Sequence, residues 1–317
     1  MPTFKKVLIT APFFSDVPYQ NLKKHFEVTS NDRNEWFTEE ELSKIIYKYD
    51  AVVAGLDHFS SRVLSKADKL KIIARRGIGY DKIDVQFATN KGIWITTTPI
   101  AEEEVDAVSE FTIGLIFSIV KQITKADKSL RTGSWNRRVF MSRNLTKLTV
   151  GIFGLGNIGK KVASICKTLG SNVIYYDPYI NDSSFSKVDV DELFSLSDII
   201  TIHTPLTPET KGFINKKLIN TMKEDSFIIN TARSQIIVTS DLKEALNENR
   251  IKGAAIDVFD EEPPKDKDLL RMDNIIVTPH IAAFTKESIE KMDEICASNI
   301  IRVLEENKEP MSAINKP

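Results

Sequence analysis

Cysteine is nearly absent: the chain holds two, Cys166 and Cys296, 130 positions apart in segments of helical periodicity. Two such thiols cannot supply a disulfide framework or a cysteine-rich zinc site, and they fit small buried apolar side chains in a reducing compartment. Long hydrophobic runs are missing too. The longest, FTIGLIFSIV from Phe111 to Val120, covers ten residues and includes a Thr and a Ser, against about 20 for a membrane span; it reads as a core helix, and no membrane partner is expected. Neither sign of charge is in excess. The 43 Lys and Arg face 44 Asp and Glu, a net charge of -1, where a nucleic-acid binder would carry a basic face. Histidine is scarce as well: of four, His25, His58 and His203 lack the clustered or helix-spaced partners of metal ligands, so no metal site is expected, and His203 reads as a buried strand residue. The opening MPTFKKVLITAP enters a β-branched pattern without the apolar stretch and cleavage site of an export signal, so a mature start and a cytoplasmic location are expected.

What is present is alternation. The 317 residues leave room for about two domains. KVLIT, FEVTS, AVVAG, LKIIA and IWITT read as strands, with TEEELSKIIYKY a helix behind a Thr38 cap. A helical stretch follows from about Glu102 to Leu130, then the polar, basic RTGSWNRRVFMSRNLTK. A second series, TVGIF, NVIYY, IITIHTP, FIINTA, GAAIDVF and IIVTP, alternates with helices such as SDLKEALNEN, and a terminal helix is expected from Lys286 to Asn307. Strands alternating with helices imply parallel sheets with right-handed crossovers, hence an α/β chain of two doubly wound domains.

Gly154-x-Gly156-x-x-Gly159 lies between a strand pattern and a helix with an apolar stripe, and the next strand ends in Asp177, 23 residues after Gly154. In that context the glycines let backbone N–H groups at a helix start approach a pyrophosphate, and the carboxylate accepts ribose hydroxyls. Residues 178–182, PYIND, contain no Arg or Lys for a 2′-phosphate, which favours NAD over NADP. In open parallel sheets ligands lie beyond the carboxyl ends of the strands. Three polar residues follow such ends: Arg233 after FIINTA, Glu262 in the loop after GAAIDVF, and His280 after IIVTP. Singly they could be a cap donor, a solvated loop residue and a strand-end histidine. Together a guanidinium, a carboxylate and an imidazole suit carbonyl redox chemistry: Arg holds a carboxylate and polarises a carbonyl, and His exchanges the hydroxyl proton, oriented by the carboxylate.

The ordered series GLGNIG, HTPLTPETKGFIN, NTAR, GAAIDVFDEEPP and TPHIAA, spanning about Leu70 to Ala283, resembles the D-isomer-specific 2-hydroxyacid dehydrogenases, in a short form without a C-terminal regulatory domain. The resemblance implies Arg233 as carboxylate clamp, His280 as acid/base and Glu262 as its partner. It also implies NAD contacts at Gly154, Gly156, Asn157, Ile158, Gly159, Asp177, Thr204, Pro205, Thr210, Thr231, Ala232 and Asp257. A flavodoxin-like substrate domain of residues 1–100 and 286–317 would carry an inserted Rossmann domain of residues 101–285, with a cleft that closes over the substrate. RRGIGYDKID resembles the family's substrate loop, with backbone N–H groups at Ile78 and Gly79 on the carboxylate. Phosphoglycerate dehydrogenases of this family carry an arginine at the position matching Arg75, against the plainer reading of a surface arginine beside a turn. The function implied is an NAD-dependent dehydrogenase for a small D-2-hydroxy or 2-oxo acid, D-3-phosphoglycerate first. Alternatives are a hydroxypyruvate or glyoxylate reductase and an NADH-sensing corepressor-like binding module. A homodimer is implied, the helix over 105–120 serving as its face or as interdomain core.

The chain departs from the family pattern in places. Ser234, Val238 and Thr239 stand where a glycine and acidic residues are usual, Ala282 where a glycine is, and Ser109-Glu110-Phe111 where Ala-Glu-His is. A glycine needed for positive φ would leave Ser234 strained.

Overall fold

Side chains alternate across each strand, so Val7 and Ile9 must face one way and Leu8 the other. In the computed structural model, which describes residues 4–33, 35–99 and 102–317, both faces are covered. The chain divides into two compact units, residues up to Glu104 with Phe284–Pro317, and Val105–Ala283; the boundary expected at 100/101 lies outside the described residues.

The first unit carries β1 (Lys6–Ile9), β2 (Glu27–Ser30), β3 (Ala51–Ala54), β4 (Ile72–Arg75) and β5 (Trp94–Thr96), all parallel, in the order β2-β1-β3-β4-β5. Its helices are α1 (Asp16–Lys23), α2 (Glu39–Ile45), α3 (Ser61–Leu64) and α4 (Val85–Asn90). Thr38 caps α2 in a reciprocal box with Glu41, as TEEE implies. The second unit carries β6 (Thr149–Phe153), β7 (Asn172–Tyr176), β8 (Ser186–Lys187), β9 (Ile199–Ile202), β10 (Phe227–Asn230), β11 (Gly253–Ile256) and β12 (Ile275–Val277), in the order β12-β11-β10-β9-β6-β7-β8 and again all parallel. Between them run α5 (Glu102–Val120), α6 (Ile123–Arg131), α7 (Asn157–Thr168), α8 (Val190–Leu196), α9 (Lys216–Ile219), α10 (Thr239–Asn247) and α11 (Lys267–Arg271), and α12 (Lys286–Leu304) follows.

In the first unit, Val7, Ile9, Val53 and Ala74 pack with Leu22 of α1 and Cys296, Ala297 and Ile300 of α12, while Leu8, Val52 and Ile73 pack with Leu42, Val63 and Ala88 of α2–α4. In the second, Val150, Ile152 and Ile229 meet Ile116 and Val162 of α5 and α7; Ile200, Ile228 and Ala254 meet Leu193, Leu218 and Leu242 of α8–α10. Both cysteines are free and buried. Two expectations need correction. The helix expected from Glu102 to Leu130 breaks after Val120, where Gln122 takes a left-handed φ of 55° and α6 departs at 58°. The edge strand β8 escaped notice because its two residues are exposed and carry no apolar pattern. No single helix among the described residues is long and apolar enough to cross a membrane.

Candidate active site

The sheet of the second unit reverses its strand order between β6 and β9, the position at which open α/β sheets receive ligands. Gly154, just beyond β6, has φ +96°, and a Cβ there would stand 2.9 Å from the His203 carbonyl. Gly159 meets α7 to β6 so closely that a Cβ would lie 2.1 Å from Gly154 O. Gly156 differs: a Cβ there would touch nothing within 4 Å, and as N-cap of α7 it offers no side-chain bond to the first-turn N–H groups of Asn157 and Ile158. Two glycines allow the close packing and the third leaves the helix start open, which fits a dinucleotide pyrophosphate.

Asp177 follows β7 and is buried. Its Oδ2 accepts from Leu155 N at 2.8 Å, and its Oδ1 from Tyr179 N and Ile180 N at 2.9 Å. The carboxylate thus fastens the glycine turn to the next loop, and Oδ2, with a single donor, keeps one further lone pair for a ribose hydroxyl. The window 178–182 holds no cation, but the fold brings two to it: Lys160 of α7 pairs with Asp182 at 2.6 Å, and Lys187 of β8 donates to Ile180 O at 2.7 Å. Lys160 is distant from Asp177 in sequence and comes to the loop only through the fold; its helical position directly after Gly159 is the one signal the sequence carries.

Thr204, Pro205 and Thr210 share one loop after β9, closed by Thr210 Oγ1 donating to Pro205 O at 2.7 Å. Thr231 and Ala232 lie just past β10, where Thr231 Oγ1 is 3.0 Å from Thr112 Oγ1 of α5 and Ala232 N donates to Asn230 Oδ1 at 3.0 Å. His203 Nε2 is 2.9 Å from Thr201 Oγ1; enclosure pushes its imidazole down to about 3, so it is uncharged at neutral pH.

The remaining polar residues rise from three adjacent strands. Asn230 of β10 is level with Ile256 of β11, and Ile256 with Val277 of β12, so Arg233, Asp257 and His280 follow the same rim. His280 Nδ1 lies 2.7 Å from Glu262 Oε1, both half-buried. His280 has φ +54°, a left-handed conformation uncommon outside glycine. Fully buried Asp257 holds the loop on either side of it, accepting from Thr278 Oγ1 at 2.5 Å, Ile281 N at 3.0 Å and Ala282 N at 2.8 Å; burial pushes its carboxyl above the usual range, against those hydrogen bonds. Arg233 Nη1 donates to Ala232 O at 2.7 Å. Ser234 and Ala282 do not take a positive φ, so neither replacement strains the backbone; Ser234 Oγ is buried and finds no partner among the described residues.

In the first unit, the turn after β4 begins at Gly77, φ +124°. Gly77 N donates to Thr98 Oγ1 at 2.9 Å, and Thr98 N returns a bond to Gly77 O at 3.2 Å. The Arg75 guanidinium folds over this glycine, so that a Cβ on Gly77 would stand 2.8 Å from Arg75 Nη1. The half-exposed Ile78 and Gly79 find no acceptor for their N–H groups among the described residues.

Comparison with known proteins agrees with this layout. Residues 113–282 match the D-isomer specific 2-hydroxyacid dehydrogenase, NAD binding domain. D-3-phosphoglycerate dehydrogenase of Methanocaldococcus jannaschii is 40% identical over 306 residues, 94% of this chain; the match spans only 57% of that relative's length. Glyoxylate reductase of Thermofilum pendens is 37% identical over 93% of this chain and 90% of its own. The crystal structure of D-lactate dehydrogenase from Aquifex aeolicus with NAD and lactic acid superposes with a TM-score of 0.87 at 27% identity, covering 99% of this chain and 100% of that one. The chain belongs to the D-isomer specific 2-hydroxyacid dehydrogenases, a family of NAD-dependent oxidoreductases.

Proposed function

We propose that this chain interconverts a small D-2-hydroxy acid and its 2-oxo acid, with D-3-phosphoglycerate, or 3-phosphohydroxypyruvate in reverse, as the preferred substrate. The observation that carries the reaction class is the His280–Glu262 pair at 2.7 Å on the carboxyl rim of a sheet whose glycine turn fits a dinucleotide. NAD, when bound, exchanges a hydride with the substrate's second carbon. Glu262, an acceptor only when ionised, keeps the resting proton of His280 on Nδ1 and so leaves Nε2 to take the hydroxyl proton in oxidation or return it in reduction. Asp257 holds the backbone that aims the imidazole. Arg233 grips the substrate carboxylate and polarises the carbonyl, and the N–H groups of Ile78 and Gly79 are carboxylate anchors. Asp177 favours NADH over NADPH by opposing a 2′-phosphate.

The phosphate preference rests on Arg75, buried over Gly77, and on the likeness to the M. jannaschii protein. A second reading, glyoxylate or hydroxypyruvate reductase, is supported by the T. pendens match, which extends over nearly the whole of that relative. The test is NADH oxidation with 3-phosphohydroxypyruvate, hydroxypyruvate and glyoxylate, repeated with NADPH. A higher kcat/KM for the unphosphorylated acids would transfer the assignment to the second reading, and turnover of none would overturn the enzymatic one in favour of NADH-sensing.

The same reading makes the protein a cytoplasmic homodimer. Helix α6 buries none of its residues, and Ile123, Leu130, Trp135, Val139 and Met141 are exposed on it and the segment that follows, Trp135 to 78%. A second copy would cover these side chains. Light scattering on the wild type and Trp135→Glu tests this; a monomeric wild type would overturn it.

A further inference from the structure

Two consecutive buried arginines precede the turn at Gly77, and only Arg75 lies on it. Arg76 turns to α12. Its Nε is 2.7 Å from Asp293 Oδ1 and its Nη2 3.3 Å from Oδ2, with the arginine 8% exposed and the aspartate 0%. Asp293 Oδ2 also accepts from Ser15 N and Ser15 Oγ, both at 2.8 Å. One carboxylate on α12 therefore holds the start of α1 and the exit of β4, and one turn later Cys296 Sγ approaches Ala74 O at 3.8 Å.

We propose that Asp293, acting through Arg76, is the positioning residue of the substrate-anchor turn; this rests on the reading of Ile78 and Gly79 as the carboxylate anchor. Gly77 is a soft joint, having no side chain and φ +124°, so the direction of the next two N–H groups is set by what holds the chain around it. Thr98 holds Gly77 itself. Upstream, Arg76 N donates to Ala54 O at 2.9 Å, and its guanidinium is held by Asp293. The pairing joins one hydrogen bond, from Nη2 to Oδ2, to a close ionic contact between Nε and Oδ1 that makes no hydrogen bond; a lysine, a single point charge, cannot face both oxygens as the guanidinium fork does. It also separates the duties of the two arginines: Arg76 fixes the backbone and Arg75 stays over the turn.

A clamp that served folding alone would be replaceable by apolar side chains of similar size, since a buried ion pair exchanged as a unit costs little stability. The double variant Arg76→Met, Asp293→Leu makes the distinction. We expect a Tm lowered by the loss of the acceptor of Ser15 N and Ser15 Oγ, an unchanged NADH Kd, and a KM for the 2-oxo acid raised about 10- to 100-fold, the scale of an ångström's misplacement. Arg76→Lys, which keeps the charge and loses the fork, should raise KM less. Should the double variant not fold, Arg76→Lys alone decides: wild-type KM overturns the proposal. Gly79→Pro removes an anchoring N–H and serves as the reference. If it raises KM while the folded double variant has wild-type KM, the anchor stands and the clamp is overturned; if Gly79→Pro leaves KM unchanged, the anchor reading falls and the clamp with it.

Discussion

The two glycine turns, Gly154–Gly159 and Gly77–Gly79, both leave the carboxyl end of a strand in a parallel sheet, and both present backbone N–H groups. They differ in where positive charge comes from. The first runs into α7, twelve residues long, and a helix start supplies partial positive charge without any cationic side chain. The second runs into no helix; the next, α4, begins at Val85. Its charge must come from a side chain, and the fold buries Arg75 over the turn while Arg76 is paired with Asp293. Burying cations demands counter-charge, and Asp293 supplies it for Arg76 inside the first unit. On the proposed reading, one anion site draws its charge from a helix start and the other from a buried side chain.

The largest expected effect falls on neither turn. His280→Ala should lower kcat by about 10² to 10⁴-fold while KM and the NADH Kd stay near wild type, measured by steady-state kinetics and fluorescence titration; a variant that keeps most of its kcat would remove His280 from the chemistry. Next comes the side-chain turn. Arg75→Ala should cost about 10- to 150-fold in kcat/KM for 3-phosphohydroxypyruvate, the worth of a charge-assisted bond of about 1.5 to 3 kcal/mol, and little for glyoxylate; equal losses on both would make Arg75 structural. In the backbone turn, Gly159→Ala would place a methyl 2.1 Å from Gly154 O. Overpacking of that kind costs about 1 to 3 kcal/mol, read as a lower Tm with a weakened NADH Kd. The smallest effect should be on cofactor choice: Asp177→Ala narrows the NADH over NADPH preference by about tenfold, or 1.4 kcal/mol. Asp182→Ala, which releases Lys160, should narrow it further in the same direction; an NADH preference unmoved by either would detach selectivity from this loop.

The difference between the turns also decides what could be read in advance. Local spacing carries the backbone site: three glycines, a strand before, a helix after, and an aspartate at the next strand end are enough to place Gly154 to Asp177. The inner strands were legible for the same reason, with apolar runs such as AVVA and IITI buried on both faces; the exposed edge strand β8 carries no such run. The side-chain site is written across the chain. Arg76 and Asp293 are 217 residues apart, and nothing near either names the other. Glu262 and His280, 18 apart, were found through the rim rule and the family motifs, whereas the hold of Asp257 on Thr278, Ile281 and Ala282 was visible only in three dimensions. The break at Gln122 was hidden because Lys121 and Gln122 are ordinary helix formers; only the conformation itself marks it.

The first unit is assembled from both ends of the chain, and this sets an order of events during synthesis. Residues Val105–Ala283 are continuous and can condense as they leave the ribosome, since domains form as units. The earlier sheet cannot finish. Until α12 is made, Val7, Ile9, Val53 and Ala74 lack the cover of Cys296, Ala297 and Ile300, and Arg76 lacks its counter-ion. The nascent chain therefore carries a half-covered, sticky sheet ahead of a completed neighbour, a species that chaperones recognise and that a stop codon before Asp293 would make permanent.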